Sequence, residues 1–183
     1  MDYRIKKLDL TYENRENKEF YNFRERNLRD ELNKEAKICS LYDETPEIKP
    51  LENLEVIICE DPELYNELKE DERLEGQNIL GYLAYEKNTD GGRIFYTIKE
   101  FKIKPMKDFL PAEKLLGFMK RLGDAHQRSV YLPRVIAENI LPIAEDLGFE
   151  HIISDWRDEL TENCSYLKEY TLFKEAPCLV YEP

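Results

Sequence analysis

The sequence predicts an α/β (α+β) domain built on a sheet flanked by helices. Three observations carry this expectation. From Asn78 to about Lys174, short apolar strands and amphipathic helices alternate in the order strand, strand, helix, strand, helix, strand, strand. ILGYLAYEK and RIFYTIKEFKIKP meet around NTDGG, where Asp and Gly tolerate the positive backbone dihedrals of a hairpin turn. The chain has 183 residues, 42% hydrophobic and 36% charged, the size of one domain with a real core and a heavily charged surface.

In chain order, Tyr3 to Leu10 reads as a strand, with Tyr3, Ile5 and Leu8 apolar. Asn17 to about Cys39 reads as a helix, because Tyr21, Leu28, Leu32 and Ala36 recur on one face, and Asn17 is placed to cap its first turn. Ser40 to Asn53 contains Pro46 and Pro50 and reads as a loop, and Leu54 to Cys59 (LEVIIC) as a strand. The acidic insertion around residues 60–77 suits a solvated loop with one short helix from Pro62. It lacks the Asp-x-Asp-x-Asp-Gly spacing that wraps calcium. Ile79–Glu86 and Arg93–Lys104 are the hairpin strands, followed by the helix LPAEKLLGFMKRLGDAH and the strand in SVYLPRVI. In the last helix, AENILPIAEDLGFE, Asn139 is the expected cap, Pro142 fits the first turn, and Gly148 ends the helix in a left-handed conformation. YLKEYTLFK is the closing strand, and residues 175–183 are left as a short tail of the single domain 1–183.

Composition excludes several function classes. No apolar run approaches the roughly 18 residues that span a bilayer, and MDYRIKKLDL has no continuous apolar signal core, so an intracellular, cytoplasmic protein with no membrane partner is expected. Cys39, Cys59, Cys164 and Cys178 are widely spaced, without CxxC pairs or nearby histidines, which predicts reduced structural thiols and no metal site. His126 and His151 are the only histidines, so no His-cluster mechanism is available. The net charge of −12 argues against a nucleic-acid partner. Its distribution is uneven: residues 99–134 hold nine cations against four anions (+5), and the rest carries −17. A phosphorylated ligand for the first region and a cationic substrate or basic partner for the second are the matching expectations, against an ordinary solvated surface.

The element order resembles that of the GNAT superfamily of acyl-CoA-dependent N-acyltransferases. Two segments carry the likeness: IKEFKIKP (Ile98–Pro105), similar to the family's central strand, and AEDLGFE (Ala144–Glu150), similar to its last helix and exit. The resemblance implies a mixed, mostly antiparallel sheet whose parallel strands, Phe101–Lys104 and Ser129–Leu132, splay apart around acetyl-CoA or another acyl-CoA. Phe101 and Ile103 then supply backbone bonds to the pantetheine arm, and Lys107 and Lys114 flank the phosphate loop. Glu100 takes the acidic position that serves some members as a base, directly or through water. That role asks for burial or a like charge beside it; a surface or ion-paired carboxylate is the other reading. The acceptor is a small-molecule amine or a basic protein or peptide.

The chain also departs from the family pattern. Where the phosphate loop usually has Arg/Gln and small residues stand Asp108, Pro111 and Glu113; proline removes an amide donor and carboxylates repel a diphosphate. Ala137 and Ala144 replace a cofactor-contacting Asn and a Tyr acid. Tyr131 and Tyr166 are substitute acid candidates, and Trp156 could cover a substrate mouth. Two hypotheses follow: a divergent N-acyltransferase, or a catalytically inactive protein of the same fold that acts as a binding or interaction module.

Overall fold

The structure is a computed structural model and describes residues 2–38, 50–105, 109–137, 139–151 and 178–183. The described strands are β1 (Arg4–Leu8), β2 (Glu55–Glu60), β3 (Ile79–Asp90), β4 (Arg93–Ile103), β5 (Val130–Pro133), β6 (Glu150–His151) and β7 (Cys178–Tyr181). They form one sheet in the order β1-β2-β3-β4-β5-β7-β6. Every pair is antiparallel except β4–β5, so the sheet is mixed and mostly antiparallel, as expected. The helices are α1 (Arg15–Ile38), α2 (Pro62–Glu67), α3 (Glu70–Leu74), α4 (Leu110–His126), α5 (Arg134–Ala137) and α6 (Leu141–Asp146). No helix of the described residues is long and apolar enough to cross a membrane.

Strand alternation divides the core in two. On one face Val56, Ile58, Tyr82 and Ala84 pack against Phe20 and Phe23 of α1. Both phenylalanine rings meet the Tyr82 ring edge-on, at 5.2 and 6.2 Å. On the other face Ile57, Cys59, Leu83, Tyr85 and Ile98 pack against Leu115, Leu116 and Met119 of α4. Truncating a buried Phe of this kind costs about 3–5 kcal/mol.

Several elements differ in detail from the sequence reading. Asn14, not Asn17, caps α1: its side-chain oxygen accepts from the Asn17 N–H at 2.8 Å. Asn17 lies inside the first turn, and its amide donates to the carbonyls of Asp9 (2.6 Å) and Tyr12 (2.7 Å), closing the β1–α1 loop. The buried face of α1 is set by Phe20 and Phe23, while Tyr21 is 43% exposed. The acidic insertion holds two short helices rather than one. Asp61 caps the first by accepting from Glu63 and Leu64 N–H, and Glu72 closes the second with a bond from Lys69 N–H. In the hairpin, Asn88–Asp90 stay in strand and only Gly91 and Gly92, at φ +55° and +80°, turn.

At α6 the cap is Ile140 rather than Asn139, with Pro142 in the first turn. Its exit is as expected: Gly148 has φ +89°, its N–H bonds Glu145 carbonyl, and Phe149 N–H bonds Ala144 carbonyl. YLKEYTLFK lies outside the described residues. Residues 178–181, read from the sequence as tail, form β7 between β5 and β6.

A Cβ at Gly148 meets only the Tyr181 ring and Lys120 Nζ at ordinary distances, so the cost of Gly148→Ala is the left-handed backbone alone. Equilibrium urea unfolding of this variant should show a loss of about 1–2 kcal/mol.

Candidate functional site

The site is organised by a break in β4. Ala84 lies opposite Glu100 and Tyr85 opposite Ile98, so Lys99 is an extra residue, a bulge that bends and twists the strand. Before the bulge β4 pairs with β5, at Tyr96–Val130 and Thr97–Tyr131, and Tyr96 N–H donates to Ser129 carbonyl at 2.9 Å. Beyond Thr97 no described strand pairs with that edge of β4. The register puts Ser129–Leu132 beside the first half of β4, so the strands separate at Ile98–Ile103, earlier than the sequence reading places it. Lys104 N–H donates to Leu80 carbonyl at 2.7 Å, which turns main-chain groups of Lys104 and Lys102 toward β3. Alternation then turns those of Phe101 and Ile103 toward β5. Such an edge suits an extended ligand carrying its own amides.

Glu100 stands on β4 just past the bulge and is ion-paired. Arg24, from α1, donates Nε to Oε1 at 2.8 Å and Nη2 to Oε2 at 2.9 Å. Tyr82 hydroxyl donates to Oε1 as well. The Arg24 side chain is 6% exposed and Glu100 19%. Burial works against the Arg24 charge, but its bonds to Glu100 outweigh that and hold the guanidinium above its ordinary value. Burial and the Glu100 charge push the Tyr82 hydroxyl far up, so it stays a donor. The neighbour of Glu100 is thus a cation, not the like charge that the base reading asks for. A carboxylate has about four acceptor positions; three are taken, and one on Oε2 remains.

Arg24 also lines a cleft of about 850 Å³ on the α1 side of the sheet. Leu8 and Leu51 supply buried apolar wall, and Tyr21 of α1 faces the cleft. Its acidic side is Asp9, Glu52 and Glu55. Glu55 accepts from Lys7 Nζ at 2.8 Å and from Tyr85 hydroxyl. Partial burial opposes its charge, yet these bonds hold its carboxyl below 4.5. Size, apolar wall and a few polar groups are the attributes of a small-molecule site.

The remaining sequence candidates are dispersed. Lys107, Asp108, Tyr166 and Trp156 lie outside the described residues. Lys114 points to β1, donating to Tyr3 carbonyl at 2.9 Å and facing Asp2 at 3.4 Å. The first turn of α4 holds Pro111 and Glu113, with Phe109 as N-cap. It lacks one N–H and carries a negative charge, which does not fit a diphosphate. Ala137 and Ala144 are fully buried. Tyr131 is 8% exposed and meets Phe95 edge-on at 5.3 Å. Three of the described cations of 99–134 are spread over separate partners: Lys99 pairs with Glu86, Lys120 bonds Leu147 carbonyl, and Arg128 bonds Tyr96 hydroxyl. Cys59 is buried in the core, its thiol pushed up to about 12 by burial. Among the described residues no His/Cys/Asp/Glu group could hold a metal ion.

Arg24, Tyr82 and the cleft escape sequence reasoning. Arg24 and Glu100 are 76 residues apart, and only the docking of α1 joins them. A mid-helix arginine beside the Phe20–Phe23 pair was the one available signal.

No family model matches the chain, and no curated protein does. Similar solved structures include an aminoglycoside acetyltransferase from an uncultured soil metagenomic sample in complex with sisomicin, at 12% identity and TM-score 0.46, covering 82% of this chain and 92% of that one. Another is the Bacillus subtilis N-acetyltransferase YlbP in complex with coenzyme A, at 12% identity and TM-score 0.45, covering 100% and 97%. Both likenesses are distant.

Removing Arg24 leaves a part-buried carboxylate without its counter-ion, which costs about 3 kcal/mol or more. Arg24→Met should lower stability by that order in urea unfolding, and adding Glu100→Leu should restore part of the loss. Glu55 gives a pH dependence. Its folded value is depressed, so its stabilisation is present above 4.5 and is lost as pH falls through the folded value. Lys7→Met should flatten that part of the acid-unfolding curve.

Proposed function

We propose that this chain is a divergent acyl-CoA-dependent N-acyltransferase that transfers an acetyl or other acyl group to a primary amine. The observation that carries the reading is the separation of β4 from β5 beyond Thr97, which leaves the Phe101 and Ile103 edge facing outward. On this reading those two residues bond the amide-bearing arm of the acyl donor. The acceptor, a small-molecule amine or a basic peptide side chain, enters from the cleft beside Arg24, where Asp9 and Glu52 favour a cation. Its nitrogen attacks the thioester carbonyl carbon; the C–N bond forms, the C–S bond breaks and the thiol leaves. Glu100, fixed by Arg24 and Tyr82, takes the amine proton through a water on the remaining position of Oε2. Lys114 is assigned to holding β1 rather than phosphate.

The second reading, a non-catalytic binding module of the same fold, is favoured by two observations: Pro111 and Glu113 in the first turn of α4, and the near-saturation of Glu100.

Thermal melting with millimolar acetyl-CoA discriminates. A ligand at a hundred times its Kd adds about 2.7 kcal/mol of stability, so a clear rise in midpoint is expected, and no rise with any acyl-CoA sinks the enzyme reading. Ile103→Pro removes one N–H from the outward edge and none from the β3 ladder, and should reduce the rise while the unliganded protein still melts cooperatively. Glu100→Gln should keep the rise and slow turnover; an unchanged rate removes Glu100 from the proton path.

A further inference from the structure

The cleft beside Arg24 is built from three pieces of chain: the end of β1 with residues 9–11, α1 at Tyr21 and Arg24, and the turn before β2. In that turn Asn53 has φ +62° and Leu54 N–H donates to Leu51 carbonyl at 3.3 Å, which sets Glu52 at the tip. Four leucines form the apolar wall. Leu8 and Leu51 are buried, and Leu10 and Leu54 pack against the same core. Tyr21 adds a half-exposed ring, backed by Phe20 at 5.5 Å. The volume, about 850 Å³, is that of a site for a small organic molecule.

The charges of the cleft do not cancel. Lys7 is engaged by Glu55 and Arg24 by Glu100. Asp9 and Glu52 are exposed, and among the described residues neither has a cation in ion-pair contact; Asp9 accepts only from Thr11. This lining selects among ligands. An anion is repelled by the two carboxylates. A neutral apolar molecule covers the wall but gains nothing from them. A polyhydroxylated amine pairs with them, but its hydroxyls lose water against leucine and find no replacement bond. A cationic head on an apolar body meets both demands, and a ring in that body packs against Tyr21.

We infer that the cleft is a binding site for small primary amines carried on an apolar alkyl or aryl-alkyl body. Asp9 and Glu52 hold the ammonium, and Tyr21 and the leucines hold the body. As a class of acyl acceptor this rests on the acyltransferase reading; as a class of ligand for the cleft it stands without it.

Calorimetric titration of the intact protein, first without acyl-CoA, tests the inference with three probes: phenethylamine, its neutral analogue phenethyl alcohol, and glucosamine. Phenethylamine should bind at least about tenfold tighter than either of the others, the sum of two modest charge contacts. No saturable binding of phenethylamine, or equal affinity for any two of the three that includes it, overturns the proposal. Glu52→Gln should weaken phenethylamine about threefold, and Asp9→Asn with Glu52→Gln about tenfold, leaving phenethyl alcohol unchanged. Tyr21→Ala should weaken both aryl probes. Undiminished phenethylamine affinity in the double variant overturns the assigned site. Acetyl-CoA is then added and acetylation of the two amines is followed. Faster acetylation of phenethylamine supports both readings. Binding without acetylation leaves the ligand class standing and counts against the acyltransferase reading. Faster acetylation of glucosamine supports the acyltransferase reading and overturns this proposal.

Discussion

The insertion of Lys99 into β4 is the constraint on which the rest of the site depends. Side chains alternate along a strand, so an extra residue moves everything after it to the opposite face. Tyr96 and Ile98 both lie in the α4-side core. Without the bulge Glu100 would follow them into that apolar layer, where a carboxylate has no partner and costs several kcal/mol. With it, Glu100 turns to the α1 side and meets Arg24 and Tyr82, while Phe101 and Ile103 return to the α4 side. One residue thus places the acid, and the same bend releases β4 from β5.

The Arg24–Glu100 pair is better understood as an orienting device than as a source of stability. Desolvating two charges offsets much of their attraction, so a buried pair contributes little net energy. Its geometry is nevertheless demanding. The two-pronged contact fixes how far α1 slides along the sheet, and Tyr82 couples that position to packing: its ring carries Phe20 and Phe23 and its hydroxyl holds Glu100. Arg24 also lines the cleft, so a ligand there touches the residue that positions Glu100.

What was legible in the sequence is what short-range patterning controls. The hairpin, α4 and the Gly148 exit follow from alternation, helical periodicity and one left-handed glycine. The phase of α1 was not, because Phe20 and Tyr21 are adjacent and either can start an apolar stripe; the sheet selected Phe20 by offering Tyr82. Asn14 and Asn17 are both good caps, and the choice between them was made by Asp9 and Tyr12, whose carbonyls take the Asn17 amide. Residues 178–181 carry too short a pattern to stand out, and become a strand because β5 presents an edge to them. Glu100 could be singled out as an acid on a strand. Its partner could not, since nothing local encodes a contact across 76 residues.

The cations of residues 99–134 illustrate the difference between composition and a site. In sequence they form a positive region; in the fold Lys99 faces Glu86, Lys114 ties α4 to β1, Lys120 caps α6 and Arg128 holds Tyr96. Each is used where a carbonyl, hydroxyl or carboxylate needs a donor, and the first turn of α4 is given to buried Pro111 and Ala112 rather than to an anion. Recognition along β4, on the acyltransferase reading, therefore leans on main-chain hydrogen bonds from Phe101 and Ile103. Such bonds act at contact and are nearly indifferent to salt, whereas charge steering would be screened. On that reading, an open strand edge beside a helix start that holds Pro111 and Glu113 suits the amide arm of a ligand better than its phosphates. That preference is open to both an enzyme with an unusual donor and a module that only binds.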